Sequence, residues 1–383
     1  GVTPVLYGFI ATILGGLGSL VGAAVGGLLL GVGATVLQVA LPESLAPYRD
    51  AFLFGAVFLV LVLRPQAHRV SLPGPARLMS RLQAATRGIS TPFLLIGIVA
   101  IALVLASGGA ESIKTVAVQS TVLGILAVGL YMFVGNSGVL SFGHMGFALI
   151  GGYVGSLFVL PPVIKGQTLR SAPDFIVNLS ASPVLATIIA GAIAALVALI
   201  VAIPLMRVSG LTAGLATFAL LLVVHNVALN LTSVTNGPQG IFPIPVSTTM
   251  WSAFAWLAVA IIVAFLYQRS RFGLMLRTTR EEEIAAQGIG VHIPSQRGVA
   301  FVLSAFFTGA GGALWAMTVG TMSPDSIYLA TTLIVLSMVV IGGRNSLSGA
   351  VIGALLVSVL REVLDRAEGG DVLGLFDVTP RPG

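Results

Sequence analysis

Cysteine is absent from this chain of 383 residues, which excludes a disulfide framework, a cysteine-based zinc site and a thiol nucleophile. Charge is scarce as well: 8% of the residues are Asp, Glu, Lys or Arg, against about 25% in an ordinary soluble domain. Lysine is reduced to Lys114 and Lys165, and neither stands in the G-x-x-x-x-G-K-[ST] setting of a nucleotide-binding loop. The histidines, His68, His144, His225 and His292, stand far apart and show no metal-ligand spacing, so neither metal nor cofactor is expected. No pair of carboxylates falls inside an apolar run. The intramembrane ionisable groups of a proton- or sodium-coupled carrier are therefore missing. An enzyme is not expected, and any active transport must draw its energy from another subunit.

What the chain does have is apolar sequence. Apolar residues make up 56% of it, and the mean hydropathy is +1.04. Residues 183–206, PVLATIIAGAIAALVALIVAIPLM, carry no charge, and roughly 20 such residues cross the hydrocarbon core of a bilayer. Glycine, with 47 residues, is a penalty in a soluble helix but permits close helix approach in a membrane bundle. Apolar runs fall near 5–16, 17–41, 48–63, 92–106, 114–135, 141–160, 183–206, 211–232, 250–268, 298–319, 327–343 and 345–361. The expected fold is all-α, a polytopic bundle of about 10–12 membrane segments with Gly-rich helix packing. The net charge of +6 comes from arginines in short loops, which is the membrane pattern and not a nucleic-acid footprint.

An internal repeat organises the chain. Residues 15–32 (GGLGSLVGAAVGGLLLGV) and 342–359 (GGRNSLSGAVIGALLVSV) align without a gap, pairing Gly15 with Gly342, Ser19 with Ser346, Gly22 with Gly349 and Gly26 with Gly353. Repeated halves are common in transporters. Residues 1–66 are read as the C-terminal part of a first unit, 67–91 as a cytoplasmic Arg/Pro-rich linker, 92–366 as a second unit and 367–383 as a polar tail. The first unit closes on an apolar run, 51–63, whose counterpart would begin at 378. The sequence there, FDVTPRPG, is not apolar, so the second unit is expected to lack its last helix and the first its front. Gly1 opens in apolar sequence without a basic region, so no secretory signal is expected.

Arginine positions orient the spans. Arg64, Arg69, Arg77, Arg81 and Arg87 place the linker in the cytoplasm. Six spans later Arg269, Arg271, Arg277, Arg280 and Arg297 mark a second cytoplasmic loop, as an even number requires. Arg207 and Arg344 fall on the same side, and Pro173 on the opposite one.

The loop 269–297, RSRFGLMLRTTREEEIAAQGIGVHIPSQR, invites a soluble partner. Glu281, Glu282 and Glu283 are expected to begin a short helix with acids at its positive end. Ala285 and Ala286 keep it slim, and Gly288 and Gly290 end it. A compact helix flanked by arginine can seat in a groove on a partner; the alternative is a basic loop that only fixes topology. The segment Arg280 to Ile289, with Arg271-Phe272-Gly273 before it and Ala305-Phe306-Phe307 after it, resembles the coupling loop of branched-chain amino acid ABC transporter permeases. Gly138-Val139-Leu140-Ser141-Phe142-Gly143-His144, Thr235 to Ile241, Ser323-Pro324 and Val339 to Gly343 are similar to further motifs of that family, in the family's order. Residues 1–66 resemble the C-terminal part of the partner permease.

The resemblance implies a non-catalytic permease subunit in a bacterial inner membrane. It would form the translocation path of an importer with a second permease subunit, two cytoplasmic ABC ATPase subunits and an extracytoplasmic solute-binding protein. Arg280, Glu281, Glu282, Glu283, Ile284, Ala285, Ala286 and Gly288 would receive the ATPase. Substrates within the family include branched-chain and other amino acids, and urea or short amides. Many relatives carry charge on the helix that here reads LLLVVHNVALN (220–230), where this chain has Leu222 and His225. For the path itself, Asn136, Ser137, Ser141, Gly143 and His144 form a polar break between two apolar runs. Such a break either exposes backbone to a substrate or is a plain cytoplasmic turn. His225 is polar within an apolar helix and is expected to face the bundle. A self-contained secondary carrier and an inert fragment of a broken fusion are the competing readings.

Overall fold

The structure is a computed structural model that describes residues 91–169, 172–206 and 210–368. The chain divides into two compact units, Gly1–Arg87 and Gly88–Gly383. The first unit lies outside the described residues. So do the expected spans near 5–16, 17–41 and 48–63, the first copy of the repeat, the linker 67–91 but for Thr91, and the tail from 369 onward.

Each of the nine apolar runs between 92 and 361 carries a helix. They are α1 (Thr91–Ser107), α2 (Glu111–Ser137), α3 (His144–Val159), α6 (Pro183–Leu205), α7 (Gly210–Asn230), α9 (Met250–Arg269), α12 (Ile293–Val319), α13 (Leu329–Gly342) and α14 (Leu347–Glu368). Between them lie the shorter α4 (Pro162–Thr168), α5 (Asp174–Val177), α8 (Thr232–Thr235), α10 (Arg271–Glu281) and α11 (Glu283–Gly288), with 3-10 turns at Gly237–Gln239 and Pro324–Ile327. Among the described residues no strand occurs; one antiparallel bridge pairs Ile241 with Met322. Helices α2, α6, α9 and α12, and α13 with the turn before it, are long and apolar enough to cross a membrane; α1 and α3 are shorter apolar helices.

Local chemistry sets the boundaries. Glu111 opens α2 at the positive helix end, and its carboxylate accepts from Lys114 Nζ at 2.8 Å. Gly138 closes α2 with φ 74°, its N–H donating to Val134 O at 3.0 Å. Thr249 and Ser252 form a reciprocal capping box on α9. Pro183 starts α6 in the first turn, where its missing N–H costs nothing.

The core is built by α3, α6 and α12, whose small residues bring backbones together. A side chain at Gly312 would strike the Ala148 carbonyl, one at Gly151 the Gly309 carbonyl, and one at Gly191 the Phe306 carbonyl. Ser304 Oγ donates to Gly129 O at 2.6 Å, pinning α12 to α2. In the second copy of the repeat, Gly342, Gly349 and Gly353 form the close joint between α13 and α14, where Cβ atoms would meet backbone.

The bundle has two ends with different loops. The C-termini of α2 and α9, with α10, α11 and the α13–α14 turn, meet at one end. The segments 158–169, 172–181, 225–249 and 317–328 gather at the other: Ala181 N donates to Phe158 O at 2.9 Å, Ser247 N to Met317 O at 3.2 Å and Ile241 N to Met322 O at 2.8 Å. The loops that arginine counting assigns to the cytoplasm are those at the first end, here called inner.

Candidate functional site

Two stretches separated by some 140 residues of chain are joined at the inner end. Helix α10 starts at Ser270, whose hydroxyl accepts from Gly273 N at 3.3 Å. It runs beneath α2 and α9. Arg277 Nε donates to Asn136 Oδ1 at 3.1 Å, and Arg277 Nη2 donates to Gln268 O, near the end of α9, at 2.7 Å. Gln268 Oε1 in turn accepts from Tyr131 on α2 at 3.2 Å. Burial pulls the Arg277 pKa below the usual arginine value, but a guanidinium starts so high that it stays charged. One turn on, Arg280 Nη1 donates to Gly135 O at 2.8 Å and lies 3.4 Å from Asn345 Oδ1, while Nη2 meets Glu281 Oε1 at 2.7 Å.

This arrangement follows from helix physics. The last carbonyls of α2 have no intrahelical donor and carry the negative end of the helix dipole, so a guanidinium is a fitting partner. Gly138 is required twice: by its φ and because a Cβ there would run into the Arg280 side chain.

The expected acidic helix start is corrected by the structure. Glu281 ends α10, Glu282 is extended at φ −154° and ψ 109°, and Glu283 alone opens α11. The two helices are held from different sides: Arg280 ties α10 to α2, and Arg297, nearly fully buried in the first turns of α12, grips the Glu283 carboxylate of α11. Ala286 is buried, whereas Gln287, Gly288, Ile289 and Gly290 are exposed. The side chains of Ile284 and Ala285 lie outside the described residues. Phe272, Leu274, Met275 and Ile289 are exposed apolar side chains of this segment.

The residues of the polar break are all buried. Asn136 Nδ2 donates to Met132 O at 2.9 Å and Ser137 Oγ to Phe133 O at 2.8 Å. Ser141 Oγ lies 2.6 Å from His144 Nδ1. The His144 ring sits among Phe133, Phe147 and Phe301, with centroids 5.3, 6.0 and 5.1 Å away. Gly143 lies so close to α7 that a Cβ would strike the Thr217 carbonyl, and Phe142 N donates to Thr217 Oγ1 at 3.2 Å. The break is thus a closed knot linking α2, α3 and α7, and Asn136 extends it to the arginine segment.

His225 is elsewhere, at the outer end. Its Nε2 lies 3.0 Å from Asp325 Oδ1, and its ring stacks on Tyr328 with centroids 3.8 Å apart. Sequence reasoning quoted Ser323-Pro324 yet passed over the next residue, Asp325; a carboxylate at the mouth of an apolar run was the available signal. It also passed over Lys165, which is fully buried and donates to the carbonyls of Ile176 and Leu179. Among the described residues no cluster of metal-ligating side chains forms.

The family of the branched-chain amino acid transport system / permease component matches residues 112–369. Over 349 residues the chain is 27% identical to the high-affinity branched-chain amino acid transport system permease protein LivM of Escherichia coli (strain K12), covering 81% of this chain and 77% of the relative. LivM of Salmonella typhimurium is 26% identical over the same length. The guanosine ABC transporter permease protein NupQ of Bacillus subtilis (strain 168) is 25% identical over 266 residues, 65% of this chain and 79% of the relative. No solved structure matches significantly.

Proposed function

Since the chain belongs to the branched-chain amino acid transport system permease family, we propose that it forms part of the translocation path of an importer for branched-chain or related amino acids. It is an ABC transporter permease and a multi-pass inner-membrane protein. Separate ATPase subunits drive it through α10–α11, a second permease completes the path, and a solute-binding protein delivers substrate at the outer end. The polar break acts in this reading as the joint on which the inner end of the path turns, not as an open lining. Residues 1–66 belong to a first permease unit and 92–366 to a second.

The observation that carries the reading is the tie from Arg277 and Arg280 to Asn136 and Gly135. A loop that only fixed topology would need arginines on the correct side of the membrane, not arginines bonded to the end of a spanning helix. A displacement of α10 by a partner therefore reaches α2 directly.

Gly288 offers a clean probe. It is exposed, and a Cβ there would meet nothing within 4 Å, so Gly288→Asp is compatible with the membrane fold. If α11 seats in an ATPase groove, the buried charge should reduce ATP-driven leucine uptake by about tenfold or more at normal complex levels. Uptake unchanged by this substitution, with the complex intact, removes the coupling role. A nucleoside is the second reading of the substrate, favoured by the similarity to NupQ; uptake of labelled guanosine in place of leucine by the same reconstituted complex would establish it.

A further inference from the structure

Helix α13 has 14 residues, a length of about 21 Å, which is short of the ~30 Å hydrocarbon core. The stretch before it, Ser323–Tyr328, holds the 3-10 turn Pro324–Ile327 and the non-helical Tyr328 at φ −124° and ψ −138°. It is held by a reciprocal Ser323–Ser326 cap and preceded by Met322, which bridges Ile241. Met322, Pro324 and Ile327 are buried, so the change from 3-10 turn to α-helix at Tyr328 is covered by protein, the condition under which a departure from regular helix is tolerated in a membrane.

One side chain of the 3-10 turn does not pack inward. Asp325 points out, its side chain 80% exposed, with Oδ1 3.0 Å from His225 Nε2. His225 is stacked on Tyr328, the last residue before α13. Tyr153 lies on α3, which packs against the same turn; it is buried and its hydroxyl has no hydrogen-bond partner. The cluster therefore presents a carboxylate, an unused buried hydroxyl and an aromatic surface. The first turn of α13 begins beside it without a side-chain cap. Broken helices in transporters place substrates at such ends, the positive helix terminus facing an anionic group.

We propose that Asp325, with Tyr153, His225 and Tyr328, is a transit subsite for the ammonium group of an α-amino acid. The uncapped start of α13 would face the substrate carboxylate. This rests on the permease reading above and deepens it to a class of substrate. An ammonium brings three donors and a full charge to the Asp325 carboxylate. A nucleoside or urea brings only neutral donors, and gains less from a carboxylate that must lose water to meet it. The His225 contact keeps the acid placed while the site is empty, and an arriving ammonium competes for the same oxygens.

The test uses the complete transporter in proteoliposomes, with its ATPases, partner permease and binding protein, and labelled leucine. Asp325→Asn keeps the shape and removes the charge; leucine carried per ATP hydrolysed should fall by about tenfold. Asp325→Glu should restore most of it, a rescue that a purely structural role would not give, because Asn matches the shape of Asp and Glu matches only its charge. Tyr153→Phe should lower the same ratio by about threefold. An Asn variant with wild-type leucine flux overturns the subsite while leaving the amino-acid reading intact. If the Asn variant fails to assemble, an unchanged ratio in Tyr153→Phe overturns it instead. A wild-type complex that carries guanosine and not leucine defeats the amino-acid reading itself, before any variant is made.

Discussion

At the inner end of the bundle, cations hold backbone and amide groups as well as acids: Arg277 and Arg280 donate to the Gln268 and Gly135 carbonyls and reach the Asn136 and Asn345 amides, while Arg280 also meets Glu281 and Arg297 meets Glu283. At the outer end an exposed acid meets a histidine, and the aromatic ring of Tyr328 lies against that histidine. The energetics differ accordingly. Hydrogen bonds from a charged group in a half-buried setting contribute about 1.5–3 kcal/mol each, and two arginines share several. A polar contact with an exposed partner contributes about 0–1 kcal/mol. One end is therefore built to hold its partners through a movement, and the other to exchange them. In the proposed function, that division puts force transmission at the first end and substrate exchange at the second.

The largest expected effect breaks the comparison altogether by destroying what joins the two ends. In Gly312→Val the new Cβ would collide with the Ala148 carbonyl. Backbone on a packed helix cannot step aside as a flexible side chain can, so destabilisation of about 3 kcal/mol or more is expected. Thermal unfolding of the purified membrane protein should show it, together with a marked loss of folded yield. A variant that unfolds at the wild-type temperature would mean that α3 and α12 are not in this close register.

A smaller and more selective effect isolates the inner end. Arg280→Ala leaves the Gly135 carbonyl without its cation and separates α10 from the α13–α14 turn. Coupled leucine uptake should fall by about tenfold, since one or two charged hydrogen bonds of about 1.5–3 kcal/mol are lost. Arg280→Lys should recover little, because a single ammonium cannot reach Gly135 and Glu281 in the fork geometry that the guanidinium uses. Ligand delivery at the outer end should be untouched, as judged by binding-protein affinity for the complex. Equal losses at both ends would show that the two regions are not separable.

The helices were legible in the sequence because membrane burial writes itself as long uncharged runs. The runs at 114–135, 183–206 and 298–319 each became one helix: Glu111–Ser137, extended at both ends, Pro183–Leu205, and Ile293–Val319, extended at its start. The grouping of three loops was legible in the arginines: 135–138, 268–281 and 344–345 meet at one end of the bundle. What those arginines bond was not legible. Arg280 reaches Gly135 across 145 residues and Asn345 across 65, and nothing local to Arg280 names either partner. Asp325 escaped notice for a related reason. A paired carboxylate within a span would have marked it, but its partner is a histidine 100 residues earlier and its own span opens with a 3-10 turn. Local charge makes the acidic run 281–283 resemble one helix start, but Arg280, next to Glu281, and Arg297, 14 residues beyond Glu283, each take one of its acids, and the run is divided between two helices. Ile284 and Ala285, the centre of the expected contact, have side chains outside the described residues.

The smallest expected effect sharpens the outer end. Lys165 is the exception there, a cation holding carbonyls in the inner manner. It is buried and donates to Ile176 and Leu179, pulling α4 onto the α5 loop. Burial lowers its pKa from the ordinary value of 10.5. The open loop therefore holds the proton to higher pH than the closed loop does. Between the lowered and the ordinary value, closure is favoured as pH rises; below that window the desolvation penalty is fully felt. Lys165→Met removes the charge and keeps the stem, but strands two carbonyls, at a net local cost of about 1–3 kcal/mol. Hydrogen exchange of residues 173–179 should speed up in this variant. The protection of the wild-type loop should grow on moving to alkaline pH, once intrinsic exchange rates are divided out, and that growth should vanish in Lys165→Met. Binding-protein-driven uptake should change by no more than about threefold, because the loop braces the outer mouth without being part of the Asp325 cluster. A pH-independent wild-type loop would show that Lys165 is not desolvated. The outer end would then lack any element held as firmly as the inner arginines hold theirs.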